Sequence, residues 1–157
     1  MTKKELEGGC TCGAVRYRLK SAPMFVHCCH CTKCQTETGS AFVLNALIES
    51  DRVETLAGAA EPFMVPTESG RGQQIWRCPE CRIALWSNYG GANDKLRFVR
   101  IGTLDDPGAL PPDIHIYTRS KLPWVQIPDG ALAVEAYYDS KAVWPAESLE
   151  RRAKLFG

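Results

Sequence analysis

Eight cysteines gathered into three short clusters constrain this chain more than any other feature. They read Cys10-Thr11-Cys12, Cys28-Cys29-His30-Cys31-Thr32-Lys33-Cys34 and Cys78-Pro79-Glu80-Cys81. The start, Met1-Thr2-Lys3-Lys4-Glu5-Leu6, lacks the apolar stretch of an export signal, so the expectation is a cytoplasmic protein with reduced thiols. Closely spaced cysteines then point to metal or redox chemistry more than to disulfides. With 157 residues the chain can bury a core of its own, so sulfur need not substitute for one.

The spacing suits zinc. Two cysteines two residues apart can fold over one ion, as at Cys31/Cys34 and Cys78/Cys81. Alternate residues of an extended segment point to one side, so Cys10/Cys12 can do the same, with Gly9 and Gly13 free to turn sharply around them. Spacing leaves two pairings open. Cys31/Cys34 with Cys78/Cys81 makes a four-cysteine ribbon and leaves Cys10/Cys12 free. Cys10/Cys12 with Cys78/Cys81 makes a closed four-thiolate site. That choice leaves Cys29, Cys31 and Cys34 as a three-thiolate site with an open position, the mark of catalytic zinc, and Cys28 over.

The rest reads as one mainly β domain over 1–157. Strand-like runs occur at Ala14 to Leu19, Ala41 to Ile48, Gln74 to Arg77, Ile83 to Ser87, Leu96 to Ile101 and Ile114 to Tyr117. One C-terminal helix is expected over Ala146 to Phe156, after Pro145, and a short one after Cys34. The charged stretch Glu150-Arg151-Arg152-Ala153-Lys154 reads as a solvated helix face. Trp124, after Pro123, is the tryptophan best suited to a pocket wall. A net charge of +1 argues against a nucleic-acid partner. The longest apolar run, Ala41 to Ile48, is short and broken by Asn45, which argues against a membrane partner.

In these motifs the sequence resembles the glutathione-dependent formaldehyde-activating enzyme family, which also includes centromere protein V. The matching pieces are Gly9-Cys10-Thr11-Cys12-Gly13-Ala14-Val15-Arg16-Tyr17, then Cys29-His30-Cys31-Thr32-Lys33-Cys34 with Gly39-Ser40 behind it, and Trp76 before Cys78-Pro79-Glu80-Cys81. His115-Ile116-Tyr117, Ser120-Lys121 and Trp124 complete the set, and the resemblance covers roughly Glu7 to Trp124. It implies a β-tent fold of layered antiparallel sheets with zinc knuckles. It also implies the second pairing, with a structural zinc on Cys10, Cys12, Cys78 and Cys81 and a catalytic zinc on Cys29, Cys31 and Cys34, up to two ions per chain. Two positions depart from the family. Arg82 stands where Gly usually follows the last cysteine, and Gln35 stands where an Arg beside the middle cluster could contact an anionic thiol such as glutathione.

The implied activity is that of a zinc-dependent carbon–sulfur lyase on the thiol adduct of a small aldehyde. A substrate thiol would take the open position as thiolate and form or release an S-hydroxymethyl thiol. The partner is then a small-molecule thiol or its adduct. Among groups that carry protons near neutral pH, His115 is the candidate catalytic residue, with His30 and His27 as further carriers. Two other readings compete: a zinc-stabilised binding module without turnover, and a redox sensor cycling Cys28, Cys29 and Cys31 through disulfides.

Overall fold

The computed structural model describes residues 6–67, 70–90 and 93–156. Two sheets are layered on each other. The smaller contains β1 (Leu6–Gly9), β2 (Arg16–Leu19) and β5 (Val53–Ala57) in the order β1-β2-β5. The larger takes β3 (Phe25–Cys29), β4 (Val43–Glu49), β6 (Glu61–Val65), β7 (Gln73–Arg77), β8 (Ala84–Tyr89), β9 (Leu96–Arg100) and β10 (Ile114–Ile116). Its order is β10-β3-β4-β9-β8-β7-β6. Every pair is antiparallel except β10 with β3, which run parallel. The mainly β, layered architecture with a short C-terminal helix is therefore the one expected.

Alternation along the strands divides the interior in two. Val26, Ala46, Ile48 and Val99 face the small sheet and pack with Val15, Tyr17, Leu19 and Trp86. Phe25, Cys29, Val43 and Leu47 face the other way, with Ile114, Ile116 and Trp144. The C-terminal helix, α3 here (Ala146–Phe156), covers this second face and has the expected bounds. Ahead of it lie α1 (Thr32–Thr38) and α2 (Ser140–Val143). Helix α1 already contains Cys34 instead of following it.

The charged face of α3 is not simply solvated. Arg151 donates from Nε and Nη2 to the two carboxylate oxygens of Glu49, at 2.8 and 2.5 Å, and both side chains are largely buried. Burial pushes the Glu49 carboxyl up, but the Arg151 hydrogen bonds outweigh it and hold its pKa below the ordinary 4.5. A lowered carboxyl pKa contributes stability that is fully present above the unfolded value and is lost as the pH falls through the folded one. Arg52, with Nε 3.4 Å from Glu49 Oε1, remains as a more exposed partner, so Arg151→Ala should cost about 2 kcal/mol at neutral pH, from the loss of two hydrogen bonds to a buried carboxylate. Urea unfolding at pH 7 and again well below pH 4.5 checks this, and the difference between variant and parent should shrink at the lower pH.

Candidate metal centres and the cavity beside one of them

The three cysteine-bearing segments converge into three groups, each with its ligand atoms within 4.8 Å of one another. The first is Cys10, Cys12, Cys78 and Cys81. The Cys10 and Cys12 sulfurs are 3.6 Å apart, and those of Cys12 and Cys78 3.7 Å. Zinc–sulfur bonds of about 2.3 Å in a tetrahedron give sulfur–sulfur edges of about 3.8 Å, so the thiols are spaced for one ion. The loop from Cys10 is closed by Gly13, at φ +80, whose N–H donates to the Cys10 carbonyl. The Val15 N–H donates to the Cys10 sulfur at 3.3 Å. The facing knuckle turns through Arg82 at φ +67, a left-handed conformation that costs a residue with a Cβ and suits the glycine expected there. The Arg82 side chain stays exposed, with its guanidinium over the Phe63 ring. Backbone N–H groups of this turn and of the Cys12 loop pull the Cys81 thiol down to about 6. None of these four cysteines lines a described cavity.

The second group is Cys29, Cys31 and Cys34. Cys29 ends β3, Cys31 is the N-cap of α1, and Cys34 lies one turn into the helix. The Cys31 sulfur accepts from the Cys34 N–H at 3.3 Å, and the Cys29 and Cys34 sulfurs are 3.5 Å apart. Gly39, at φ +63, closes α1 and turns the chain toward β4. Hydrogen bonds from Cys29 and Cys34 draw the Cys31 thiol down to about 2, while the proximity of Cys31 pushes Cys29 up to about 12, and Cys29 and Cys31 push Cys34 higher still. One thiol ionises readily and its neighbours then resist. A cation is what would hold all three as thiolates, and zinc suits the soft donor set.

Unlike the first group, this one opens onto a cavity of about 480 Å³. Phe98, Tyr89, Tyr117 and Tyr137 form its apolar walls, while Lys33, Asn45 and His27 bring polar groups. Tyr117 holds a left-handed backbone, φ +54, unusual for an aromatic residue and a sign of a side chain held in place by its surroundings. Burial pushes His27 down to about 4, so the imidazole is neutral, with Nε2 2.5 Å from the Tyr138 hydroxyl.

A profile of the glutathione-dependent formaldehyde-activating enzyme family matches residues 5–120. The chain belongs to that family. A protein of Halomonas elongata, provisionally named a glutathione-dependent formaldehyde-activating enzyme, is 29% identical over 129 residues, 78% of this chain and 80% of its own length. A solved structure of a Rhodobacter sphaeroides protein covers 63% of this chain and 87% of its own, with 20% identity and a TM-score of 0.47. Family membership is carried by residues up to 120, yet Tyr137 on the cavity wall lies beyond them. The segment bearing it is laced to the family region, with the Tyr117 N–H on the Ala136 carbonyl and the Thr118 N–H on that of Val134.

Several expectations are revised by geometry. His115 pairs with Cys28 across β10 and β3 and shares its face, opposite that of His27 and Cys29. It forms the third group, with Cys28 and His30, and is absent from the cavity wall. The His30 Nε2 lies 3.0 Å from the His115 Nδ1 and 3.5 Å from the Cys28 sulfur. The His30 Nδ1 is buried without a hydrogen-bond partner. If Nε2 ligated a metal, Nδ1 would carry a hydrogen with no acceptor, so the group reads as a hydrogen-bonded cluster. Gln35 is not among the residues lining the cavity. Its Nε2 donates to the carbonyls of His30 and Ser120, both at 2.9 Å, so here it ties the start of α1 to the segment after β10. Trp124 is 72% exposed and lines no described cavity. Of the walls that sequence reasoning missed, Asn45 had a signal: a lone amide in an apolar strand. Tyr117 stood out only as part of the family motif; Tyr89 reads as an ordinary strand aromatic, and Tyr137 lies in an irregular segment with no motif around it. No helix among the described residues is long and apolar enough to cross a membrane.

Proposed function

We propose that this chain joins a small thiol to formaldehyde or a comparable small aldehyde, giving an S-hydroxymethyl thiol, and runs the reverse carbon–sulfur cleavage. The observation that carries this reading is the asymmetry between the two all-cysteine groups: the four-thiol group is closed, and the three-thiol group lies on the wall of a cavity. In this reading Cys10, Cys12, Cys78 and Cys81 hold a structural zinc, and Cys29, Cys31 and Cys34 hold a catalytic one. Zinc bound to the three thiolates supplies an open position that accepts a soft sulfur ligand and keeps it deprotonated at neutral pH.

The chain's own residues then do the positioning. Cys29, Cys31 and Cys34 fix where the substrate sulfur sits, at the end of β3. Phe98, Tyr117 and Tyr137 restrict the space beside it, so that the aldehyde approaches at short range and from one side. Lys33 offers a cation to a thiol that carries carboxylates, as glutathione does. The proton for the product hydroxyl comes from water in the cavity, and His115, on the far face of the sheet, has no assigned part in it.

Cobalt-substituted protein gives the test. Glutathione, cysteine and a small uncharged thiol are titrated separately, and at least one should intensify the sulfur-to-metal absorption in the near ultraviolet. The same thiol should speed formaldehyde consumption. A loaded site whose spectrum none of the three changes would overturn the thiol-ligand reading in favour of a binding module without turnover.

A further inference from the structure

Asn45 and Arg100 stand directly opposite each other in the β4–β9 register, with His27 opposite Asn45 on the other side in β3. Both side chains are buried. The Arg100 Nη1 donates to the Asn45 Oδ1 at 2.5 Å. No carboxylate among the described residues forms an ion pair with Arg100, so this buried guanidinium gives its hydrogen bond to an amide instead. A guanidinium has only donors, so the amide orientation is settled: Oδ1 faces Arg100 and the NH2 faces away. No protein acceptor among the described residues takes those hydrogens, yet Nδ2 is not a sealed, unsatisfied atom. Asn45 lines the cavity that holds Cys29, Cys31 and Cys34. Withdrawal of charge from Oδ1 by the cation makes the NH2 a stronger donor.

We infer that Asn45 is a catalytic residue whose Nδ2–H hydrogen-bonds the negative charge developing on the aldehyde oxygen, and that Arg100 is the positioning residue that aims it. The inference rests on the thiol–aldehyde reaction proposed above. In that step a lone pair of the substrate thiolate forms the new carbon–sulfur bond. The carbon–oxygen π pair moves onto oxygen, and the resulting alkoxide takes a proton from water, leaving hydroxide to be neutralised by the proton the thiol gave up. Nothing is oxidised or reduced. The amide needs no rearrangement to meet the charge, because Arg100 and its strand neighbours already hold it in place, and such preorganised donors act most strongly where water is excluded.

The test compares Asn45→Ala, Asn45→Asp, Arg100→Met and Arg100→Lys with the parent, each loaded with zinc. Asn45→Ala should lower kcat for adduct formation about 100-fold or more, the effect of losing one oxyanion donor, with KM for the thiol nearly unchanged. Asn45→Asp keeps the shape and can pair with Arg100, so it should melt no lower than the parent and still lose at least as much kcat. Arg100→Met should lower kcat with KM unchanged, and Arg100→Lys, which restores a donor to Oδ1, should recover most of it. A readout independent of turnover is the Asn45 side-chain amide in the nitrogen-15 spectrum, assigned by its loss in Asn45→Asp. It should shift on adding an S-hydroxymethyl thiol and not on adding the parent thiol. An active parent whose Asn45→Ala variant keeps kcat within about twofold, or an amide that ignores the adduct, overturns the role of Asn45 alone. A parent inactive with every thiol and aldehyde overturns the reaction itself, and this inference with it.

Discussion

Cys78→Ser is expected to leave the protein without a cooperative fold. Cys78 is fully buried between β7 and β8, and its sulfur faces that of Cys12, 66 residues earlier in sequence. A structural zinc on these thiols would close that long loop and hold the N-terminal strands against the knuckle. Such ions contribute on the order of 10 kcal/mol, as much as the whole net stability of a typical domain. A serine hydroxyl is a poor zinc ligand. Far-ultraviolet dichroism and a thermal melt, with zinc content measured alongside, provide the check. A variant that melts within a few degrees of the parent would remove the structural role from this group.

Cys31→Ser is expected to do the opposite, abolishing activity in a protein that stays folded. Cys31 is the N-cap of α1, and serine is among the best residues for that position, so the helix start survives the exchange. What is lost is one of three sulfurs that would hold the catalytic ion. Changes behind the ligands already cost 10- to 100-fold in metal affinity or activity, so losing a ligand should cost more than about 100-fold. Measured together, zinc per chain should fall by one and the melting temperature should hold nearly steady. A fall as large as that of Cys78→Ser would show that both groups carry the fold, and the division into structural and catalytic sites would go with it.

The short cysteine clusters were legible from their spacing, but which of them come together was implied only by the family resemblance, because local backbone geometry permits two pairings. Most strands around them were legible from alternation or apolar runs, though not β1, and α3 from Pro145 ahead of it and its apolar period. β3 was hidden because its residues, Phe25 to Cys29, end inside a cysteine cluster that reads as a knuckle. β5 and β6 were hidden because their side chains are mostly exposed and give no apolar signal. His115 looked catalytic as a histidine near a motif, but only the parallel pairing with β3 decides which face it takes. Arg151 looked solvated because its partner Glu49 lies 102 residues away. Asn45 was visible as a break in an apolar run, and its meaning needed Arg100 across the sheet.

The adjacency of Cys28 and Cys29 has a consequence for how such a site can change. The two thiols leave one strand on opposite faces, one toward two other sulfurs and a cavity, the other toward two imidazoles. Their faces are set only by the register of β3 against β4 and β10. A slip of one residue, as a single insertion or deletion in the 20–24 turn could cause, would exchange them. The chain would then offer the cavity a different thiol and bring Cys29 to the histidines without altering any cysteine. Alignment of β3 thus decides which of two adjacent thiols joins the cavity group, and relatives that differ in the length of this turn are where an exchanged cysteine should be sought.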